Sequence, residues 1–152
     1  MTMFLLSTEC IIKHQNTFLI IKRPAGKLGE GLLAFPGGTV EVKDGEQQSD
    51  ILRTAVKREV LEEVGINLVD PIYYITSSYF IDGKDRPVVH TIFYCKLFLT
   101  SPKVIPLLDE VPEHYWMTEK EVSQAPNAPE WIKKYLMLVE KKSCHCELPS
   151  FA

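Results

Sequence analysis

Apolar positions along this chain fall into β-like runs near its start and again beyond residue 70, with helical patterns in residues 49–66 and 129–142. Residues 2–13 and 17–22 are rich in β-forming side chains, and His14-Gln15-Asn16 between them reads as a hairpin turn. Arg23-Pro24 closes the second run, a loop with three glycines spans residues 25–31, and residues 32–35 form a short apolar run. Pro36-Gly37-Gly38 then reads as a turn, because consecutive glycines accept positive φ and let backbone approach a ligand closely. Residues 39–48 are a polar connection turning at Asp44-Gly45. Further on, residues 71–81 and 87–99 are two long β-rich runs joined by Asp82-Gly83-Lys84-Asp85, a strong hairpin signal. Residues 102–112 are proline-rich, with a short strand expected only at Val104-Ile105. Residues 116–122 turn into a short helix capped by Thr118, with Glu121 three residues on completing a capping box. An amphipathic helix is expected over residues 129–142 and a disordered tail over 143–152, so that residues 1–142 make one domain.

The first helical pattern covers residues 49–66, SDILRTAVKREVLEEVGI. Asp50, or Ser49 before it, supplies an N-cap oxygen, and Gly65 supplies the left-handed stop. With Leu52 at zero and about 100° per residue, Ala55, Val56, Val60 and Val64 fall near −60°, 40°, 80° and 120°. On that wheel Glu59, Glu62 and Glu63 fall near −20°, −80° and 20°, whereas Thr54 and Lys57 lie on the far side near 200° and 140°. The acids therefore continue the apolar sector of the preceding turns. A solvated acidic face is the ordinary reading of three glutamates on one turn, but these carboxylates point where a core belongs. Like charges so placed repel and lose their solvation, and a divalent cation reverses both penalties. A metal site is the reading that fits.

Composition narrows the field. The chain has 152 residues, 24% charged and 45% hydrophobic, as an ordinary globular domain does. A net charge of −3 argues against a nucleic-acid-binding surface, and a protein of that sign needs cations to handle an anionic substrate. No apolar run approaches the roughly 20 residues of a membrane span, and MTMFLL lacks the basic start of a signal peptide, so a cytoplasmic location is expected. Cys10 and Cys95 lie in apolar β runs as small hydrophobes, while Cys144-His145-Cys146 lacks the second ligand pair that structural zinc requires. The element order predicts a mixed sheet between helices, α/β or α+β.

The run Arg58-Glu59-Val60-Leu61-Glu62-Glu63-Val64-Gly65-Ile66, after Phe35-Pro36-Gly37-Gly38, resembles the Nudix hydrolase signature G-x5-E-x7-R-E-U-x-E-E-x-G-U, where U is a bulky aliphatic. Every specified position from Arg58 to Ile66 matches. Asp50, with seven residues between it and Arg58, stands in the place of the first glutamate, but eleven residues separate it from Gly38 instead of five. A six-residue insertion around residues 42–48 accounts for the difference.

The resemblance implies an α/β fold, an α/β/α sandwich with a mixed β-sheet, and hydrolysis of a nucleoside diphosphate linked to another group. It implies Mg²⁺ or Mn²⁺ held by Glu59, Glu63 and the Gly37 carbonyl with Glu62 in support, and Gly38 close to the substrate. Oxygen-rich carboxylate sets suit those ions, which bind alongside substrate phosphates. Arg58 then holds a carboxylate in place, an ordinary i, i+4 pairing with Glu62 being its plainer role. The general base is either Glu59 or a loop acid, Glu110 or Glu113. Arg23 corresponds to a phosphate or base contact, and Asn127 to an asparagine that reads a purine edge, although a turn asparagine before the last helix is equally ordinary. Tyr73, Tyr79, Phe80 and Tyr94 offer stacking surface or core packing. The expected reaction is Mg²⁺-dependent cleavage of a nucleoside or deoxynucleoside triphosphate to monophosphate and pyrophosphate, by a monomer or homodimer. ADP-ribose or nucleotide-sugar hydrolysis is the alternative, and a non-catalytic nucleotide-sensing domain is a reading of another class.

Overall fold

The computed structural model describes residues 1–46 and 49–144. Among these, seven strands form one sheet: β1 (Leu5–His14), β2 (Thr17–Lys22), β3 (Leu33–Ala34), β4 (Gly37–Thr39), β5 (Tyr73–Ile81), β6 (Pro87–Leu97) and β7 (His114–Met117). Their order is β3-β2-β1-β6-β5, with β4 added on β1 and β7 on β2. The sheet is mixed, since β1 and β6 run parallel from Leu5 opposite Val88 to His14 opposite Leu97, while β5 is antiparallel to β6. Helix α1 (Ile51–Val64) covers one face; α2 (Glu119–Gln124) and α3 (Glu130–Cys144) cover the other.

Covering both faces explains why the central strands read as continuous apolar runs instead of alternating ones. Cys10, Ile12, Leu19, Ile21, Phe93 and Cys95 pack toward Val56, Val60 and Val64 of α1. Their neighbours Ile11, Phe18, Ile20, Ile92 and Tyr94 pack toward Ile132, Leu136 and Val139 of α3. Two cores of this kind, one on each side of a sheet, make the α/β/α sandwich that the sequence implies. The two described cysteines of the core, Cys10 and Cys95, are buried free thiols, as expected of small hydrophobes.

Local chemistry sets the ends of α1. The Asp50 carboxylate accepts from the Arg53 N–H at 3.3 Å, and Gly65 ends the helix at φ 70° with its N–H on the Leu61 carbonyl at 3.0 Å. The Thr118–Glu121 capping box forms as expected and starts α2.

Several boundaries differ from the sequence reading. β1 begins at Leu5, not at residue 2, and β6 ends at Leu97, leaving Phe98 and Leu99 exposed. Gly37-Gly38 is a short strand on β1 and not a turn. Val104-Ile105 forms no strand: the Ile105 N–H donates to the Val64 carbonyl and the Leu107 N–H to the Glu63 carbonyl, both at 2.8 Å. Those carbonyls are orphans of the last turn of α1, so the loop caps the helix instead of joining the sheet. β7, four residues long, is too short to show a period. Helix α3 runs two residues beyond the expected end, to Cys144; the rest of the expected tail, His145 and Cys146 included, lies outside the described residues.

Candidate active site

Helix α1 sorts its own acids. Glu63 is buried among Val56, Val60 and Val64 at 8% exposure. The Glu59 side chain keeps 12% of its surface exposed and the Glu62 side chain 50%. This matches the wheel, on which Glu59 and Glu63 lie at the centre of the buried sector and Glu62 at its edge.

The strand against which they lie has to be glycine. A β-carbon at Gly37 would overlap the Thr8 carbonyl of β1, and one at Gly38 would overlap the Glu59 carboxylate. Lacking both, β4 pairs closely with β1, with Glu9 opposite Gly37 and Thr8 opposite Gly38, and the Gly37 N–H donates to Glu63 Oε2 at 3.0 Å.

Arg58 fixes the rest by committing all five of its N–H groups. Nε and Nη2 donate to the two oxygens of Asp44 at 2.7 and 2.9 Å, and Nη2 also donates to the Thr39 carbonyl at 3.1 Å. Nη1 donates to Glu59 at 2.8 Å and to Glu62 at 3.1 Å. The fork-to-fork pair with Asp44 is a strong, geometrically specific contact, and Arg58 holds the Asp44 carboxyl below its ordinary range.

Asp44 corrects the sequence reading. It is 2% exposed, at the end of a 3-10 turn over Val42–Asp44, and five residues separate it from Gly38, the spacing the signature demands. The six additional residues are therefore 45–50, after the acid and before the helix. Asp50, matched to the first glutamate by counting back from Arg58, is an exposed N-cap paired with Arg53 at 3.1 Å. Counting forward from Gly38 was the signal that could have found Asp44.

Electrostatics singles out Glu63. Burial pushes its carboxyl up to about 8; the Gly37 N–H and Arg23 oppose the rise, and the charges of Glu59 and Glu110 add to it. Glu59 is also raised, by burial first, with its hydrogen bond from Arg58 opposing and Glu62 and Glu110 contributing.

The same interactions separate the two loop acids. Glu110 lies within electrostatic reach of both buried glutamates, in a loop that the Ile105 and Leu107 N–H groups dock onto the end of α1. Glu113 points elsewhere, to an ion pair with Lys22 at 2.7 Å.

A cleft of about 1170 Å³ opens beside Gly37 and Gly38, on the α3 side of the sheet. Arg23 lines it, with its Nε on the Leu28 carbonyl at 3.0 Å. Of the four candidate aromatics, Tyr79 and Phe80 line the cleft, whereas Tyr94 is fully buried in the core with Tyr73 packed against that cluster. Asn127 is absent from the lining: its Nδ2 donates to the Gly31 carbonyl at 3.1 Å, tying the glycine loop to the turn before α3. On the cleft wall, Ser7 and His90 share a hydrogen bond, His90 Nε2 is 3.4 Å from Glu9 Oε1, and the Ser78 and Tyr135 hydroxyls are 2.9 Å apart.

Among the described residues, no three His, Cys, Asp or Glu side chains already stand as a metal cage. The donor set nevertheless fits a hard cation. Two carboxylates sit side by side with too few N–H groups to satisfy them, and a third, Glu62, is half exposed beside them. A divalent ion offsets both the burial that chiefly raises Glu59 and Glu63 and the neighbouring negative charges that add to the rise. No described helix is long and apolar enough to cross a membrane.

Residues 3–139 match the family model of the NUDIX domain. The fold is similar to the crystal structure of a MutT protein from Methanosarcina mazei Go1, with a TM-score of 0.74 and 20% identity over 93% of this chain and 96% of that one. A MutT NUDIX hydrolase from Burkholderia pseudomallei matches with a TM-score of 0.72 and 20% identity over 90% and 98%. The NUDIX domain of Shewanella oneidensis NrtR, complexed with ADP ribose, matches with a TM-score of 0.70 and 15% identity over 90% and 88%. At such identities the likeness concerns the fold. No curated protein matches the chain significantly.

Proposed function

We propose a reaction on one premise, that this chain belongs to the Nudix family. The reaction is hydrolysis of a nucleoside or deoxynucleoside triphosphate to the monophosphate and pyrophosphate. One observation carries it: Glu59 and Glu63 are buried together against Gly37-Gly38, the two glycines that also line a cleft large enough for a nucleotide.

Glu59 and Glu63, with the Gly37 carbonyl and Glu62 in support, would hold Mg²⁺ or Mn²⁺. When bound, that ion supplies charge neutralisation of the diphosphate and acidification of the attacking water. Arg23, in the cleft and within reach of Glu63, receives a phosphate. Glu110 takes the proton of the attacking water, since it is the loop acid that faces the buried pair. Arg58 positions Glu59 and does not touch substrate.

The ADP-ribose alternative is favoured by the NrtR domain, whose structure holds that ligand on the same fold. A panel of nucleotides incubated with the protein and Mg²⁺ decides between the two. Pyrophosphate release from triphosphates is expected; release of a sugar phosphate from ADP-ribose, with triphosphates untouched, would replace this reading.

A further inference from the structure

The cleft carries a second carboxylate that the reaction above does not use. Glu9 lies on β1 opposite Gly37, but its side chain alternates with those of Thr8 and Cys10 and emerges on the other face of the sheet, toward α3. The side chains of Glu9 and His90 keep only 16% and 13% of their surface exposed. In the tautomer in which Ser7 donates to His90 Nδ1, the other ring nitrogen carries its proton toward Glu9 Oε1. Glu9 Oε2 is sealed from solvent and, among the described residues, has no hydrogen-bond partner.

An ionised carboxylate is an acceptor only, and a desolvated one without a donor is costly. Such an oxygen on the wall of a cleft calls for a donor that is not part of the chain. Glu9 lines the cleft with part of its side chain exposed, and the terminal torsion of a glutamate is soft, so a partial turn of the carboxylate brings this oxygen toward the cleft. Aromatic rings stand around the same cleft: Phe80, 5.8 Å from the His90 ring, with Tyr79, Trp131 and Tyr135. Flat rings beside one acceptor suit a heterocycle that bears an N–H donor.

We infer that Glu9, oriented by His90 and Ser7, reads the base of the nucleotide and selects bases that carry an exocyclic amino group over otherwise similar bases that lack it. This rests on the nucleotide reading above and adds a rule about the base. Phosphates then lie at the Gly37-Gly38 end of the cleft and the base beneath α3.

The test compares bases that differ in one group. GMP and IMP differ in the 2-amino group of the purine; CMP and UMP exchange an amino for a carbonyl at position 4. Dissociation constants for the four monophosphates, titrated into the intact protein, read the base without requiring turnover. The wild type is expected to bind GMP and CMP about tenfold or more tightly than IMP and UMP, the range of a charged hydrogen bond. Glu9→Gln, nearly isosteric but carrying an amide donor, is expected to bring each pair within about twofold or to reverse the preference.

Equal affinities within both pairs in the wild type would overturn the inference, and that result needs no variant to fold. So would an unchanged preference in E9Q. A variant that altered only the ratio of ribo- to deoxyribonucleotide would move Glu9 to the sugar and also overturn it. Binding with the expected preference but without hydrolysis of any triphosphate would sink the proposed reaction and leave Glu9 standing; no binding at all would sink both.

Discussion

The α1 and α3 ends of the site, on opposite faces of the sheet, are built on opposite terms. At the α1 end, Arg58 has all five N–H groups engaged, Asp44 has both oxygens met, and each buried glutamate receives one donor. At the α3 end, Glu9 has a sealed oxygen without a partner, beside a histidine held by a single serine. One donor on each glutamate, from Arg58 and from the Gly37 N–H, holds it in place and leaves lone pairs for an ion, which is what metal ligands need if they are to meet one without reorganisation. An unsatisfied group is poised to receive something. The difference suggests a division of labour: one end is preorganised for chemistry, and the other is left open for recognition.

The sharpest way to break this comparison is at Glu59. Glu59→Gln should abolish turnover, by about a thousandfold, because it removes a charge used at the reacting phosphate. Folding should survive, since the amide still accepts from Arg58, and circular dichroism would check it. Unchanged turnover would reject the metal assignment.

The loop acids give the next largest contrast. Glu110→Gln should lower kcat by about a hundredfold, as loss of a general base does. Glu113→Gln, which severs only the exposed pair with Lys22, should stay within about threefold of wild type. The reverse ranking in steady-state kinetics would return the base to Glu113.

A smaller contrast lies between Asp44 and Asp50. Asp44→Asn disturbs the support of Arg58 and through it Glu59, and should cost about 10- to 100-fold in activity or metal affinity. Asp50→Asn should leave activity unchanged, because asparagine caps a helix as well as aspartate does.

These two aspartates also show where sequence reading succeeds and fails. The α1 acids were legible because a helix converts spacing directly into direction, and burial followed the wheel from Leu52 to Val64. The sandwich was legible because β1, β2 and β6 are apolar on both faces. Asp44 was missed because an insertion allows two alignments, and only the guanidinium of Arg58 chooses between them. Glu110 could not be separated from Glu113, nor Glu9 singled out, because loop docking and neighbouring strands bring together residues that are distant in the chain. Asn127 could not be judged either, since its tie to Gly31 spans 96 residues.

The smallest effect is on stability. Glu63 is raised from its ordinary 4.5 to about 8 by burial and by Glu59 and Glu110, against the Gly37 N–H and Arg23. A raised carboxyl favours the protonated folded state. Its stabilisation is full below 4.5 and is lost as pH rises through 8, by on the order of a few kcal/mol. Thermal melts without divalent metal should therefore fall across that window, and added Mg²⁺ should flatten the fall. A melting temperature that rises across the window without metal would contradict the environment assigned to Glu63.

Calorimetric titration of Mn²⁺ or Mg²⁺ at pH 7, repeated in buffers of different ionisation enthalpy, counts the protons that metal binding releases. With Glu63 at about 8, the wild type should release about one proton per site, and Glu63→Gln should release clearly fewer. Metal that failed to bind even with nucleotide present, or bound without releasing a proton, would contradict a cation held by the buried glutamates.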